Sequence, residues 1–144
     1  MEDYKNEALK LENQLCFPLY AASREIIKHY RPFLDELDLT YTQYIAMMVF
    51  WQQGSINVKD LGQKLYLDSG TLTPVLKNLE AKGYITRSRS EEDERVVIAS
   101  ITPEGQKLKD KAADVPQQIA CCVKLDPEEA KLLYGLLYKL LGCF

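Results

Sequence analysis

Asp68-Ser69-Gly70-Thr71-Leu72-Thr73-Pro74-Val75-Leu76-Lys77-Asn78-Leu79 combines a cap, a short polar start and an apolar stripe. Asp68 or Ser69 can cap a helix that runs to about Lys82, where Gly83 closes it. Leu72, Val75, Leu76 and Leu79 recur at helical steps and predict the buried face. Ser69, Gly70, Thr71, Thr73 and Lys77 fall elsewhere, near the N-terminal end. A recognition helix touches base edges and phosphates there, and Asp68 belongs to the same end. The helix alone reads equally well as an ordinary solvated face, so its neighbours decide.

Upstream, Asn57 can cap a short helix over Val58 to Leu65, and Tyr66-Leu67 joins the two into a helix-turn-helix. Downstream, Tyr84 to Arg89 and Arg95 to Ile101 read as strands, linked by the wholly polar Ser90 to Glu94. A helix-turn-helix followed at once by a hairpin is a winged helix. Asp93 and Arg95 flank one residue at the hairpin tip, so an ion pair there can aim the guanidinium. An aimed arginine suits a narrow minor groove, whereas a loop salt bridge otherwise contributes little. Arg87 and Arg89 add two cations along the first strand and join the candidate DNA contacts.

Further outward, Thr40 caps a helix over Tyr41–Gln53, with Tyr44, Ile45, Met48 and Trp51 on one stripe and Gly54 as the stop. An earlier helix spans about Leu19 to Leu37, with Leu19, Ala22, Ile26, Ile27 and Tyr30 at helical steps. Pro18 either starts this helix or kinks it, and Pro32 lies near its other end. Thr102 or Pro103 opens a helix expected to continue to about Val123. Asp126 caps a last one over Pro127 to Leu141. Leu132, Leu133, Leu136, Leu137, Leu140 and Leu141 give that helix more apolar surface than a small wing domain needs. The expectation is a second copy packed against it. The fold class is therefore mainly α with a small β-hairpin wing, a winged helix-turn-helix whose homodimer is formed by N- and C-terminal helices. Residues 1–144 read as one domain. About 1–53 and 103–144 are the dimerisation and sensing helices, and about 55–102 the DNA-binding lobe.

Of the 144 residues 47% are apolar, enough for a core, and the net charge is −3. Residues 57–95 hold seven cations and seven anions. Charge alone does not announce a nucleic-acid binder, so contacts must come from a few well-placed cations and helix N-termini. No run approaches the roughly 18 apolar residues of a membrane span. The polar, acidic start lacks secretory character, which points to the cytoplasm. Four cysteines are too few and too unevenly spaced for a disulfide scaffold. The adjacent Cys121-Cys122 is not a zinc spacing, and the single His29 completes no cluster. No metal or other cofactor is expected.

Cys16 sits in Leu15-Cys16-Phe17-Pro18. A cysteine among hydrophobes is more often a small inert core residue than a reactive one. A helix that starts near Pro18 would put Cys16 at its positive end, which favours a thiolate. Tyr30 lies fourteen positions on, about 21 Å along a helix axis, so the two cannot touch within one helix. If they cooperate, it is across a dimer, and Tyr41 can join them, since a phenol donates to a thiolate. On their own, Tyr30, Tyr41 and Tyr44 read as core or interface aromatics. Leu108, Ala112, Val115, Ile119 and Cys122 step by three and four, which puts Cys122 on an apolar stripe and Cys121 beside Gln117 and Gln118. Either could attack an oxidised Cys16, and both could equally be inert. Cys143 lies in a tail expected to fray.

Leu15-Cys16-Phe17-Pro18-Leu19-Tyr20-Ala21-Ala22-Ser23-Arg24, Leu39-Thr40-Tyr41-Thr42-Gln43-Tyr44 and Leu65-Tyr66-Leu67-Asp68-Ser69-Gly70-Thr71-Leu72-Thr73-Pro74 resemble the organic-hydroperoxide resistance regulators. These are a branch of the MarR winged-helix repressors. Asp93-Glu94-Arg95 with Ile101-Thr102-Pro103-Glu104-Gly105 resembles the general MarR wing signature. The resemblance runs through essentially the whole chain. It implies a non-enzyme: a reduced dimer that represses a peroxidase gene by holding a pseudo-palindromic operator in double-stranded DNA. It further implies that Cys16 is the peroxidatic thiolate, bonded to Tyr30 and Tyr41 of the partner subunit and oxidised by an organic hydroperoxide. Cys122 or Cys121 would then resolve the sulfenate in an intersubunit disulfide, Cys122 slightly preferred, although a pair of adjacent cysteines is not part of the family pattern. Two other regulators fit the same motifs: a thiol-based MarR regulator of virulence or biofilm genes, and a MarR repressor that binds an aromatic ligand near Tyr30, Tyr41 and Trp51 with Cys16 silent. A thiol peroxidase is disfavoured, because no base or arginine accompanies Cys16 and the wing would have no purpose.

Overall fold

Short polar caps set most helix starts. The computed structural model describes residues 1–144, apart from the side chains of residues 2 and 3. In chain order the elements are α1 (Glu2–Ala8), a 3₁₀ turn (Leu11–Asn13), α2 (Cys16–Asp35), α3 (Tyr41–Gln53), β1 (Ser55–Asn57), α4 (Val58–Leu65), α5 (Ser69–Ala81), β2 (Ile85–Arg89), β3 (Val97–Ile101), α6 (Pro103–Ala112), α7 (Val115–Ala120) and α8 (Pro127–Leu141). Thr40, Asn57, Asp68, Thr102 and Asp126 each accept a backbone N–H in the first turn of the helix they precede. A cap of this kind contributes about 1 kcal/mol and fixes where the helix begins. Thr40 and Asp126 are the anchors of full capping boxes, with Gln43 and Glu129 reaching back.

The strands form one antiparallel sheet in the order β1-β3-β2. Ala99 at its centre pairs with Ile56 on one side and Arg87 on the other. The core gathers Met47 and Phe50 of α3, Leu61 of α4, Leu72, Leu76 and Leu79 of α5, and Ile85 of β2. Leu108, Ala112, Val115 and Ile119 extend it along α6 and α7. Trp51 Nε1 donates to the Gly105 carbonyl at 2.9 Å and ties α3 to α6. Gly105 has a steric reason to lack a side chain, since a Cβ there would collide with the Tyr84 carbonyl and press on Ile101.

Several expectations need correction. The helix opened by Thr102 does not run to Val123. It ends at Ala112, and α7 restarts at Val115. Pro116 explains the break, because a proline fits the first turn of a new helix but cannot donate inside an old one. On α3, Tyr44 of the expected stripe is buried, together with Ala46, Met47, Val49 and Phe50, while Met48 of that stripe is exposed. Helix α2 starts at Cys16, with Pro18 inside its first turn, and Pro32 is carried within it. Leu19, Ile26 and Ile27 are exposed, and Leu34 is the buried residue of α2. Helix α8 buries none of its residues. The periodicity of both helices marks a real apolar face, but its cover does not come from this chain. Helix α1, the 3₁₀ turn and β1 lie where the sequence was read without structure.

Candidate DNA interface and thiol site

Asp68 takes the role of cap. Its Oδ1 accepts the Thr71 N–H at 2.7 Å, and that bond holds its carboxyl below the usual carboxylate range. Asp68 thereby sets the start of α5 at the exposed end of that helix. Ser69, Gly70, Thr71, Thr73 and Lys77 all stay exposed, opposite the buried Leu72, Val75, Leu76 and Leu79. Thr73 Oγ1 donates to the Ser69 carbonyl at 2.7 Å, which leaves its oxygen lone pairs free.

At the wing, Arg95 Nε and Nη2 each reach a carboxylate oxygen of Asp93 at 3.1 Å, and the Arg95 N–H donates to Asp93 Oδ1 at 3.0 Å. The guanidinium beside Asp93 depresses that carboxyl. Both arginines of β2 are engaged within the lobe. Arg87 Nε lies 2.6 Å from Glu80 Oε2 and clamps β2 to α5. Arg89 Nη1 donates to the Glu94 carbonyl at 2.7 Å and closes the hairpin tip. Both thereby shape the wing, while Arg95 projects from it.

Between α4, α5 and the wing lies a groove of about 720 Å³, lined among others by Lys59, Gln63, Tyr66, Ser69, Thr73 and Arg95. Lys59, Gln63 and Tyr66 were missed from the sequence. The sequence places Tyr66 only as part of the joint between the two helices. Tyr66 occupies the turn of the helix-turn-helix with φ of 55°, an unusual conformation for an aromatic residue, and stays exposed.

Cys16 occupies the first position of α2 and is exposed, with Leu15, Phe17 and Leu19 exposed around it. It is not the buried core thiol that composition alone favoured. Tyr30 is on the same helix, fourteen residues on, and packs instead against α3. Its ring centroid is 4.9 Å from Tyr41 and 5.9 Å from Tyr44, and Tyr44 meets Trp51 at 6.3 Å. Burial raises the hydroxyl pKa of Tyr30, Tyr41 and Tyr44, so all three stay O–H donors at neutral pH. The structure thus brings Tyr30 and Tyr41 together. Cys121 caps the C-terminus of α7, and Cys122 follows, its Sγ donating to the Gln118 carbonyl at 3.6 Å. Both are exposed, so Cys122 is off the buried stripe that ends at Ile119. Among the described residues all four cysteines are free, and no group of three potential metal ligands occurs. Among the described residues, no helix is long and apolar enough to cross a membrane.

A helix-turn-helix with a polar recognition end, beside a hairpin that carries an aimed arginine, defines a winged-helix DNA-binding protein. The transcriptional regulator SarA/Rot family matches residues 28–112. Over 137 residues the chain is 53% identical to the organic hydroperoxide resistance transcriptional regulator of Bacillus subtilis (strain 168), across 95% of this chain and 93% of that relative. The chain belongs to the MarR-type winged-helix transcriptional regulators, in their organic hydroperoxide resistance branch, a family of regulators rather than enzymes. Among solved structures, reduced AbfR bound to DNA matches with a TM-score of 0.78 at 34% identity over 97% of each chain; AbfR is from Staphylococcus epidermidis. The disulfide form of AbfR matches with a TM-score of 0.65 at 33% identity, over 98% of this chain and 99% of that one.

Proposed function

We propose that this chain is a homodimeric repressor that holds operator DNA while Cys16 is reduced and releases it when an organic hydroperoxide oxidises Cys16. The observation that carries the reading is the placement of Cys16. It is an exposed thiol in the first turn of α2, among exposed apolar residues that a second copy would cover. Helix N-termini favour an anion, which suits a thiolate nucleophile. Tyr30 and Tyr41 form one pair of neutral phenols too far along α2 to serve the Cys16 of the same chain. Across a dimer they would hydrogen-bond the thiolate of the other subunit.

In the reaction, the Cys16 thiolate attacks the terminal oxygen of the hydroperoxide. The O–O bond breaks, the sulfur becomes a sulfenic acid, and the alkoxide leaves as an alcohol after taking a proton. A second thiol then displaces water to form a disulfide. Cys122 or Cys121 of the partner subunit supplies that thiol, since both stand exposed beyond the end of α7. On the DNA side, Ser69, Gly70, Thr71, Thr73 and Lys77 face the major groove and Arg95 enters the minor groove. Asp68, Asp93, Arg87 and Arg89 hold those groups in place.

The test is operator binding before and after about one equivalent of cumene hydroperoxide, for wild type and Cys16→Ser. Wild type is expected to lose binding and Cys16→Ser to keep it. Unchanged binding by oxidised wild type sinks the sensor reading, and a response by Cys16→Ser assigns the trigger elsewhere. On non-reducing gels the dimer band should vanish in either Cys121→Ser or Cys122→Ser. A band that survives both removes the two-cysteine step.

A further inference from the structure

Lys82 closes α5, and its side chain reaches back to the sensing helices. Its own N–H donates to the Asn78 carbonyl of α5 at 3.0 Å. Its Nζ donates to the main-chain carbonyl of Asp38 and lies 3.4 Å from Asp38 Oδ2 and 3.5 Å from Gln43 Oε1. Asp38 sits in the turn between α2 and α3 with φ of 53°, a left-handed conformation that a non-glycine residue adopts when its surroundings hold it there. Gln43 is only 6% exposed, and its Oε1 also accepts the Thr40 N–H at 3.0 Å in the capping box of α3. One ammonium thus joins the α2–α3 turn, the cap of α3 and the end of the recognition helix. The Asp38 carboxylate is largely in water and adds little. The buried Gln43 oxygen and the Asp38 carbonyl are the partners that fix the geometry.

The joint shares a helical turn with the phenol pair. Tyr41 opens α3 between Thr40 and Gln43, and its ring rests on Tyr30. Tyr41 and the turn that Lys82 holds are thus neighbours along one stretch of main chain. Beside the joint is a cleft of about 550 Å³ lined by Asp35, Asp38, Thr40, Gln43, Asn78 and Lys82, where the ammonium has room to change partners.

We propose that Lys82 is a positioning residue that couples the Tyr30–Tyr41 pair to the recognition helix, so that a shift of the α3 cap on oxidation is passed to α5. The inference rests on the redox reading above. It is tested by fluorescence anisotropy on an operator duplex, with the extent of Cys16 oxidation followed by mass spectrometry, for wild type, Lys82→Met and Lys82→Arg. Lys82→Met should oxidise as fully as wild type, while the ratio of oxidised to reduced Kd falls about tenfold below the wild-type ratio. Lys82→Arg should restore most of it. A merely structural role would weaken both states alike and leave the ratio unchanged, which overturns the proposal. If Lys82→Met does not fold, Gln43→Met removes the buried partner, and a wild-type ratio there is equally fatal. If wild type itself keeps DNA when oxidised, the redox reading falls and takes the joint with it. A releasing wild type with an equally releasing Lys82→Met removes the joint alone.

Discussion

Arg95 leaves 90% of its side chain in water and still makes two bonds to one carboxylate. An exposed pair of this kind contributes little to stability, so its effect is on direction. Asp93 holds the fork outward from the tip, where an unpaired arginine would sample many rotamers. Arg95→Ala is therefore expected to weaken operator binding by about 1–3 kcal/mol and to lower the slope of log K against log salt by about 1. The melting temperature should stay unchanged. A salt titration by anisotropy, with a thermal melt alongside, checks both. Loss of binding together with a large fall in Tm would make Arg95 a structural residue. Asp68 differs, because its carboxylate serves the fold. Its folded pKa lies below the unfolded value, so its contribution is complete above the ordinary aspartate range of about 3.9 and is lost as pH falls through the depressed value. Asp68→Ala should therefore lower Tm at pH 7, and the gap to wild type should narrow only in acid below about pH 4. A gap that closes between pH 7 and 5 would assign the effect to another group.

At the scale of elements, the legible parts of the fold were those that begin with a cap. Helices α3, α4, α5 and α8 start within a residue of the expected positions, because Thr40, Asn57, Asp68 and Asp126 are local signals with local effects. The division of α6 from α7 was also written in the sequence, at Pro116, but a continuous apolar stripe across it concealed the break. The three-residue β1 was not legible, because its only support is pairing with β3, more than forty residues away. In the candidate site, the recognition face and the Asp93–Arg95 pair follow from spacing, whereas Arg87–Glu80 and Lys82–Gln43 join residues whose proximity is set by packing. Gly105 also belongs to this scale. It lets α6 approach the main chain at the entry to β2 closely while its carbonyl receives the Trp51 indole. Gly105→Ala forces a Cβ into the Tyr84 main chain, and backbone yields less readily than a side-chain tip. Such overpacking costs about 1–3 kcal/mol, to be read as a lower urea midpoint at constant m-value. An unchanged midpoint would mean that α6 can slide on the sheet.

For the whole molecule, α2 and α8 present apolar surface that this chain does not cover. Leu132, Leu133, Leu136, Tyr134 and Tyr138 are exposed along α8, and Phe17, Leu19, Ile26 and Ile27 along α2. Contiguous exposed apolar surface of this kind suits an interface. The two helices leave the DNA-binding lobe from opposite ends of the sequence, so pairing through them would set two recognition helices at a fixed separation. A two-fold dimer reads half-sites about one helical turn apart, roughly 10 base pairs centre to centre. Two linked outcomes follow. A charge placed in the α8 face, Leu136→Asp, should shift sedimentation at micromolar concentration from dimer to monomer, and operator affinity should fall with it. Separately, inserting about five base pairs between half-sites turns one half-site to the far face of the duplex, whereas about ten restores the face. Wild type should lose the first operator and recover part of its affinity for the second. Equal binding to both spacings would mean that each lobe acts alone. The oxidation of Cys16 would then have no shared geometry through which to release DNA.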